Sequence, residues 1–315
     1  MAYQFIFGPV PSRRLGLSLG VDLMPQKTCS LDCVYCECGK TSHLTLEPRE
    51  YIPLTPIIEE LSDFLSTRPA LDHITFSGYG EPTLHSGIGE IVQFVKGNFP
   101  QYKLALLTNG TLLVRKEVRR AIRAVDVVIV SLDAGTEATL KKINRPHPRL
   151  TLKDLMAGIL SFKREFENQL WLEVFLVAGL NDDDEQLALI RDQIRRVKPD
   201  KIQLNTLDRP GTESWVQPID ASGLKHAAQI LEQTELIDAP SDNDAHPVDL
   251  KELPERIVAT IRRRPCTVQD IARMLGVSRE AVLQQLYPME KAMNIQAIQM
   301  PRGVFYSISD TVGGD

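Results

Sequence analysis

The sequence predicts an α/β protein: a partial (β/α)6 TIM-like barrel followed by a small C-terminal winged helix-turn-helix unit. Three observations carry this. Between residues 55 and 231, apolar segments of strand character alternate with segments of helical apolar spacing, the pattern of parallel strands with helices packed outside. Six strands are too few to close an eightfold barrel. After residue 236 the composition turns acidic and Pro-containing, and short helical and alternating segments follow. The boundaries read from this are 1–236 for the barrel, 237–250 for a linker and 251–315 for the C-terminal unit.

Phe5-Ile6-Phe7 leads into Gly8-Pro9-Val10-Pro11-Ser12-Arg13-Arg14-Leu15-Gly16, where the prolines favour extended backbone. Arg13 and Arg14 suit a phosphate or carboxylate, and equally suit solvated or salt-bridged surface arginines. Residues 17–23 alternate and read as the first strand. Thr55 is placed to cap a helix over 57–65, with Pro56 at its first position. Strands are expected at 73–77, 104–107, 127–132, 171–177 and 201–206, and helices at 87–96, 114–125, 152–166, 185–197 and 221–231. Residues 127–132 are continuously apolar, as in a strand buried on both faces.

In the C-terminal unit, 254–263 reads as a helix. Thr267 caps a second, Gly276 makes the turn, and Ser278 caps a third that Pro288 should stop. Residues 295–298 and 303–308 alternate like two short strands joined by Met300-Pro301-Arg302. Residues 251–315 hold nine Lys/Arg against seven Asp/Glu, and the expected recognition helix offers only Arg279 against Glu280. Phosphate binding needs a clear cationic face, which Arg262-Arg263-Arg264 supplies only locally. Substrate docking or a packing lid is therefore expected ahead of RNA contact, and RNA ahead of duplex DNA.

The chain has 315 residues, 43% hydrophobic and 24% charged, with a formal charge of −5. That is a soluble globular composition with no global nucleic-acid signature. No apolar run is long enough to span a bilayer and the first residues lack a signal pattern, so a cytoplasmic protein without membrane contact is expected. Four of the five cysteines lie within ten residues, which is no disulfide framework and suits a reducing compartment.

Those cysteines form Cys29-Ser30-Leu31-Asp32-Cys33-Val34-Tyr35-Cys36, followed by Glu37-Cys38-Gly39. Thiolates select zinc, copper(I) or iron–sulfur clusters. With no histidine inside the loop, a cluster is favoured over catalytic zinc. The alternative is a zinc knuckle closed by Cys38 or His43. A cubane held by three cysteines leaves one iron open. Parallel barrels place chemistry at the C-terminal ends of their strands, and polar residues collect there. Ser77-Gly78-Tyr79-Gly80-Glu81-Pro82-Thr83 follows the second strand and Thr108-Asn109-Gly110 the third. Ser131-Leu132-Asp133 ends the fourth, Glu173 sits in the fifth, and Gln203 and Asn205 share one face of the sixth.

The Cys-x3-Cys-x2-Cys loop, with Tyr35 just before its last cysteine, resembles the cluster loop of the radical S-adenosylmethionine (SAM) superfamily. The resemblance implies a [4Fe–4S] cluster on Cys29, Cys33 and Cys36 and SAM bound at the open iron. It also implies a 5′-deoxyadenosyl radical that abstracts hydrogen, and a reduced flavodoxin- or ferredoxin-like electron donor. Gly78-Tyr79-Gly80-Glu81 resembles that superfamily's Gly-Gly-Glu-type motif for the methionine amino group, with Tyr79 interrupting the glycine pair. A tight turn with a helix-capping carboxylate is the structural alternative. Ser131 and Asp133 resemble the ribose contact, although Asp133 suits equally a cap for the helix near Thr136. Arg145 is the candidate clamp for the SAM carboxylate, and Tyr35 the candidate adenine neighbour. Asn109, Glu173, Gln203 and Asn205 complete the cofactor-binding candidates, and no catalytic residue is assigned. Cys38 is expected to support or pack the loop.

Pro11-Ser12-Arg13-Arg14-Leu15-Gly16, Cys33-Val34-Tyr35-Cys36-Glu37-Cys38-Gly39 and Lys142-Ile143-Asn144-Arg145-Pro146 make residues 5–235 similar to a largely uncharacterised branch grouped with the wyosine tRNA-modification synthases. Synthases of that type carry extra N-terminal cysteines for a second cluster, and none precedes Cys29. The expectation is a single-cluster radical SAM enzyme acting on RNA, a peptide or protein, or a metabolite, docked by the C-terminal unit. The rival is an iron–sulfur redox-sensing winged-helix DNA-binding regulator, which leaves Gly80-Glu81 and Ser131/Asp133 without a purpose.

Overall fold

A computed structural model of the chain describes residues 3–25, 27–237, 252–292 and 294–308. The predicted linker at 237–250 falls, beyond Ile237, outside the described residues.

An antiparallel hairpin of β1 (Ile6–Ser12) and β2 (Gly16–Val21) opens the fold. Two short strands, β3 (Thr28–Cys29) and β4 (His43–Leu44), pair in parallel around the cysteine loop. The alternation follows as α1 (Leu54–Ser66), β5 (His73–Phe76), α2 (Ile88–Asn98), β6 (Lys103–Thr108), α3 (Lys116–Ala121), β7 (Val127–Ser131), α4 (Glu137–Ile143), α5 (Leu152–Glu165), β8 (Gln169–Leu176), α6 (Asp184–Val197), β9 (Lys201–Thr206), α7 (Ala221–Leu231) and β10 (Thr234–Leu236). These strands build one sheet in the order β1-β2-β5-β6-β7-β8-β9-β10. From β2 onward every pairing is parallel. β1 and β10 form its two ends, so the barrel is open.

The alternation of side chains along a strand decides what faces where. Ile74, Phe76, Leu104, Leu106, Val128, Val130, Leu170 and Leu172 face the helices and are buried with their apolar stripes. On α6 that stripe is Leu187, Ile190, Ile194 and Val197, with Asp183 capping the start. Alternate positions face the lumen, where Leu15, Ala105, Val127 and Ile129, with Leu107 and Trp171, form a separate apolar floor. The polar candidates Ser131, Glu173 and Gln203 lie in lateral register on β7, β8 and β9.

The C-terminal unit contains α8 (Leu253–Arg263), β11 (Cys266–Thr267), α9 (Val268–Leu275), α10 (Arg279–Lys291), β12 (Ile295–Met300) and β13 (Gly303–Ile308). Its sheet has the order β11-β13-β12. Thr267 and Asp270 form a capping box on α9, Gly276 ends it in the left-handed region, and Ser278 caps α10. Its core of Leu253, Ile257, Ile261, Ile271, Val282 and Leu286 also receives Val10 of β1. No helix among the described residues is long and apolar enough to cross a membrane.

Several local expectations are corrected. β1 is a strand despite Pro9 and Pro11, because an edge strand tolerates missing N–H donors. β10, only three residues long, adds a parallel edge strand beyond the six expected. α1 starts at Leu54, whose N–H donates to Glu50 Oε1 (2.7 Å), so Thr55 lies inside the first turn and does not cap it. α3 spans only Lys116–Ala121, because Arg115 is extended and separates it from a 3₁₀ turn at Thr111–Val114. α10 runs through Pro288 to Lys291; Gln284, four residues earlier, is exposed, so water can serve the carbonyl that proline leaves without a donor.

Candidate cluster and cofactor site

The cysteine loop is tied down along its whole length. Thr45 N–H donates to Cys29 O (2.9 Å), Val34 N–H to Ile143 O (2.9 Å), and Glu213 N–H to Val34 O (3.1 Å). Thr41 N–H donates to Asp32 Oδ1 (2.7 Å) and Thr212 Oγ1 to Cys36 O (3.1 Å). The loop thus sits between the C-terminal end of α4 and the segment after β9.

Each sulfur of the triad meets a different N–H donor. Asn109 Nδ2 lies 3.4 Å from Cys29 Sγ, Asn144 Nδ2 lies 3.4 Å from Cys33 Sγ, and Lys27 Nζ lies 2.9 Å from Cys36 Sγ. Burial pushes the Cys29 thiol up to about 11 and Cys33 well up. Cys36 goes the other way: a hydrogen bond from the Cys38 thiol, together with Lys27, overcomes burial and pulls it below the usual thiol range. Burial alone lowers Lys27, but the negative charge of the Cys36 thiolate, which also accepts its hydrogen bond, more than offsets it and keeps the ammonium charged. Cys38 Sγ also lies 3.4 Å from Gly78 O, so this thiol, with one proton to give, sits between the loop and the glycine turn.

Among the described residues, no three His, Cys, Asp or Glu side chains converge on a single-ion site. The all-sulfur donor set, with an N–H donor aimed at each sulfur of the triad, fits an iron–sulfur cluster.

The glycine turn packs directly on this loop. Glu81 N–H donates to Thr28 O (3.0 Å), and a Cβ on Gly80 would collide with that same carbonyl. Gly80→Ala should therefore displace the strand carrying Cys29, destabilise by ~1–3 kcal/mol and lower iron retention after reconstitution. Gly97→Ala is the control: a helix position with nothing within 4 Å, it should change neither unfavourably. Iron retention equal to wild type in Gly80→Ala would contradict this packing.

Glu81 itself departs from expectation. Its carboxylate is 2% exposed and accepts from Thr83, Thr108 Oγ1 (2.6 Å) and Asn109 N–H (2.8 Å). It is a buried strut joining the turns after β5 and β6, and the backbone of Gly78 and Gly80 is what the motif leaves for a ligand. Asn109 is aimed by that strut and by Thr111, which donates to its Oδ1. Below the turn lies Asp22, unforeseen as a site residue, which accepts from Tyr79 N–H (3.3 Å) and Met24 N–H (3.2 Å). Burial raises it to about 6. The unfolded chain ionises at about 4, so stability falls as pH rises from about 4 through 6. Asp22→Asn should stabilise at pH 8 by on the order of 2–3 kcal/mol, a gain absent below pH ~4; urea midpoints at both pH values check it.

Asp133 accepts from Tyr35 OH, from Asn144 Nδ2 (2.7 Å) and from Phe175 N–H (2.9 Å). It caps no helix: Thr136 caps α4. Burial raises the Asp133 carboxyl to about 6. Tyr35 stacks on Phe175 with centroids 3.8 Å apart and planes 7° apart, so one ring face is already covered. Asn144, missed in the sequence although it precedes Arg145, ties Asp133 to the cluster loop. Arg145 has a positive φ of 44° and its guanidinium pairs with Glu213, a partner 68 residues on. In the lumen, Arg14 Nη1 meets Glu173 Oε2 (2.6 Å) and Asn205 Nδ2 meets Glu173 Oε1 (2.7 Å). Gln203 is 4% exposed, and its Oε1 is a buried acceptor with no donor. A buried orphan beside such a polar belt fits a ligand that brings its own N–H or O–H. Ser131 lies beside Glu173 in register.

Residues 23–190, more than half of the chain, match the family described as the radical SAM superfamily. A protein of Brachyspira hyodysenteriae named GTPase Obg is 35% identical over 85% of this chain and 40% of its own length. A UPF0026 protein of Methanocaldococcus jannaschii is 34% identical over 67% of this chain and 66% of its own length. This chain thus spans less than two thirds of either relative. The crystal structure of a radical SAM methyltransferase from Sphaerobacter thermophilus superposes with a TM-score of 0.54, at 17% identity, over 70% of this chain and 65% of that one; this likeness concerns the fold. By its cysteine loop, its open parallel barrel and the matched segment, the chain belongs to the radical SAM superfamily, whose members use a [4Fe–4S] cluster and S-adenosylmethionine.

Proposed function

We propose that the protein is a single-cluster radical SAM enzyme that abstracts hydrogen from a substrate held in the barrel lumen beneath the C-terminal unit. The carrying observation is the joining of three strand ends to one cysteine loop: Glu81 to Thr28, Asn109 to Cys29, and Asp133 through Asn144 to Cys33. Cys29, Cys33 and Cys36 would hold the cluster, and the backbone of Gly78–Gly80 with the rim at Ser131 and Asp133 would hold SAM. When bound, the pair supplies a 5′-deoxyadenosyl radical from one electron delivered by a flavodoxin- or ferredoxin-class donor. The chain's own residues do the rest. The apolar floor of Leu15, Ile129 and Trp171 keeps water from the lumen. Arg14, Glu173 and Asn205 fix one another's orientation, and Gln203 Oε1 accepts a hydrogen bond from the bound molecule.

The C-terminal unit is read as the cover of this site. Arg209, after β9, reaches Asp270 (3.0 Å), Pro265 O (2.7 Å) and Glu37 of the cysteine loop (3.5 Å). Arg302 of the β12–β13 turn reaches Asp270 with both terminal nitrogens and Asp208 (2.8 Å). Met300 packs against the cluster of residues that includes Tyr35 and Phe175. The outward face of α10 exposes Leu283 and Tyr287 and no stripe of cations, which disfavours duplex binding.

Anaerobic reconstitution, reduction and addition of SAM should yield 5′-deoxyadenosine by mass spectrometry. Zinc without iron in the reconstituted protein would refute the reading. RNA is tested in the same preparation: tRNA that co-purifies at low salt and leaves at high salt favours an RNA substrate, and its absence at low salt counts against one.

A further inference from the structure

We propose that Lys27, Asn109 and Asn144 form an outer shell, one N–H donor for each triad sulfur, that sets the reduction potential of the cluster, with Lys27 the dominant member. The inference rests on the single-cluster reading of Cys29, Cys33 and Cys36. It concerns side chains that carry no iron and touch no substrate, so they are positioning residues.

The three contacts are not incidental proximity, because each donor is built into place. Asn109 donates also to Ser30 Oγ (2.9 Å), while Thr111 and Glu81 hold its other polar groups. Asn144 is the C-cap of α4, its N–H on Leu140 O and its Nδ2 shared between Asp133 and Cys33. Lys27 is held by its carbonyl, which accepts from Ser42 N–H (3.0 Å), His43 N–H (3.2 Å) and Ser42 Oγ (3.1 Å). The three donors come from three places in the sequence, immediately before β3, at the end of β6 and at the end of α4. A loop needing only mechanical support would not draw one donor onto each sulfur.

The physical effect has a definite sign. One-electron reduction of an iron–sulfur cluster adds negative charge that is delocalised onto its thiolate ligands. A donor aimed at a thiolate stabilises the reduced form more than the oxidised form and raises the potential. The asparagines contribute neutral dipoles. Lys27 contributes a full positive charge at the shortest of the three distances, 2.9 Å, and charge-assisted hydrogen bonds are roughly twice as strong as neutral ones. No bond is made or broken; the electron comes from a low-potential one-electron donor, for which dithionite stands in during the test.

The test is an EPR-monitored redox titration of the reconstituted full chain without SAM. Lys27→Met should shift the midpoint to more negative potential, by more than Asn144→Ala does. Lys27→Arg should restore most of the wild-type value, and Lys27→Gln, which keeps a donor but loses the charge, should fall between. If Lys27→Met loads no cluster, Lys27→Gln is read alone against wild type. Midpoints of the loaded Lys27 variants equal to wild type would overturn the inference while leaving the single-cluster reading intact. A wild-type protein that assembles no four-iron cluster would instead overturn that reading, and this inference with it.

Discussion

Replacing Cys33 by alanine should abolish iron loading and reduce 5′-deoxyadenosine formation to background, while the barrel stays folded. Cys33 is only partly buried, and its one side-chain hydrogen bond is the 3.4 Å contact from Asn144. Asn144 keeps Asp133 as an acceptor when that sulfur is gone, so the stability loss should stay within about 1 kcal/mol. The cost to the cluster is of another order, because two thiolates cannot hold a cubane that uses three. Iron analysis, mass spectrometry and thermal unfolding of the apoprotein separate the two effects. Retained iron at the wild-type level would mean that the triad is misassigned; loss of folding would mean that Cys33 is a core residue first.

Asp270→Ala should produce a large stability loss in the C-terminal unit, about 3 kcal/mol. Asp270 and Arg209 have side chains 4% and 5% exposed. Removing the carboxylate takes away the shortest ion pair of the buried Arg209, leaving it the longer contacts to Glu37 (3.5 Å) and Asp208 (4.0 Å), and leaves Arg302 with Asp208 alone. It also removes half of the α9 capping box, which by itself is worth ~1 kcal/mol. Thr267→Ala, which removes the other half, isolates that smaller part. Urea unfolding should therefore rank Asp270→Ala well below Thr267→Ala. Equal losses would show that capping, not the ion network, is the source.

The same network sets an acid limit. Burial would raise the Asp270 carboxyl, but the Arg302 hydrogen bonds and Arg209 hold it below the usual carboxylate range. A lowered folded value gives stability that is full above pH ~4 and is lost as pH falls through the folded value. Wild type should lose this contribution only in strong acid, and Asp270→Ala should show no such loss.

The two units meet along several contacts besides this one. Arg263 of α8 lies over the Phe7 ring at 4.7 Å and donates to Gln4 O (3.2 Å), and Val10 enters the C-terminal core. These contacts fix the unit against the first hairpin while Arg209 and Arg302 fix it over the end of β9. A helix-turn-helix held by its α9 cap and its β12–β13 turn has both ends committed to the barrel. These contacts support the proposed cover role and leave little of the unit free to read DNA.

Local chemistry determined what could be read from the sequence alone. Strand alternation and helical spacing are properties of neighbouring residues, so six parallel strands and their helices, the Thr267 cap and the Gly276 turn were legible. So was the three-cysteine loop, because its cysteines lie within eight residues of one another. Edge strands and proline exceptions were not, since β1 and the passage of α10 through Pro288 depend on which backbone groups face water. Only the tertiary structure decided the partners. Cys33 meets Asn144 across 111 residues, Arg14 meets Glu173 across 159, and Arg209 meets Asp270 across 61. The sequence marked Glu81, Asp133 and Arg145 as polar groups at strand ends or in the loop beyond one. It could not say that Glu81 would be saturated by protein donors, that Asp133 would already accept from Tyr35, Asn144 and Phe175, or that Arg145 would pair with Glu213. Such pairings are set by where distant segments meet once the core has closed, and no periodicity along the chain encodes them.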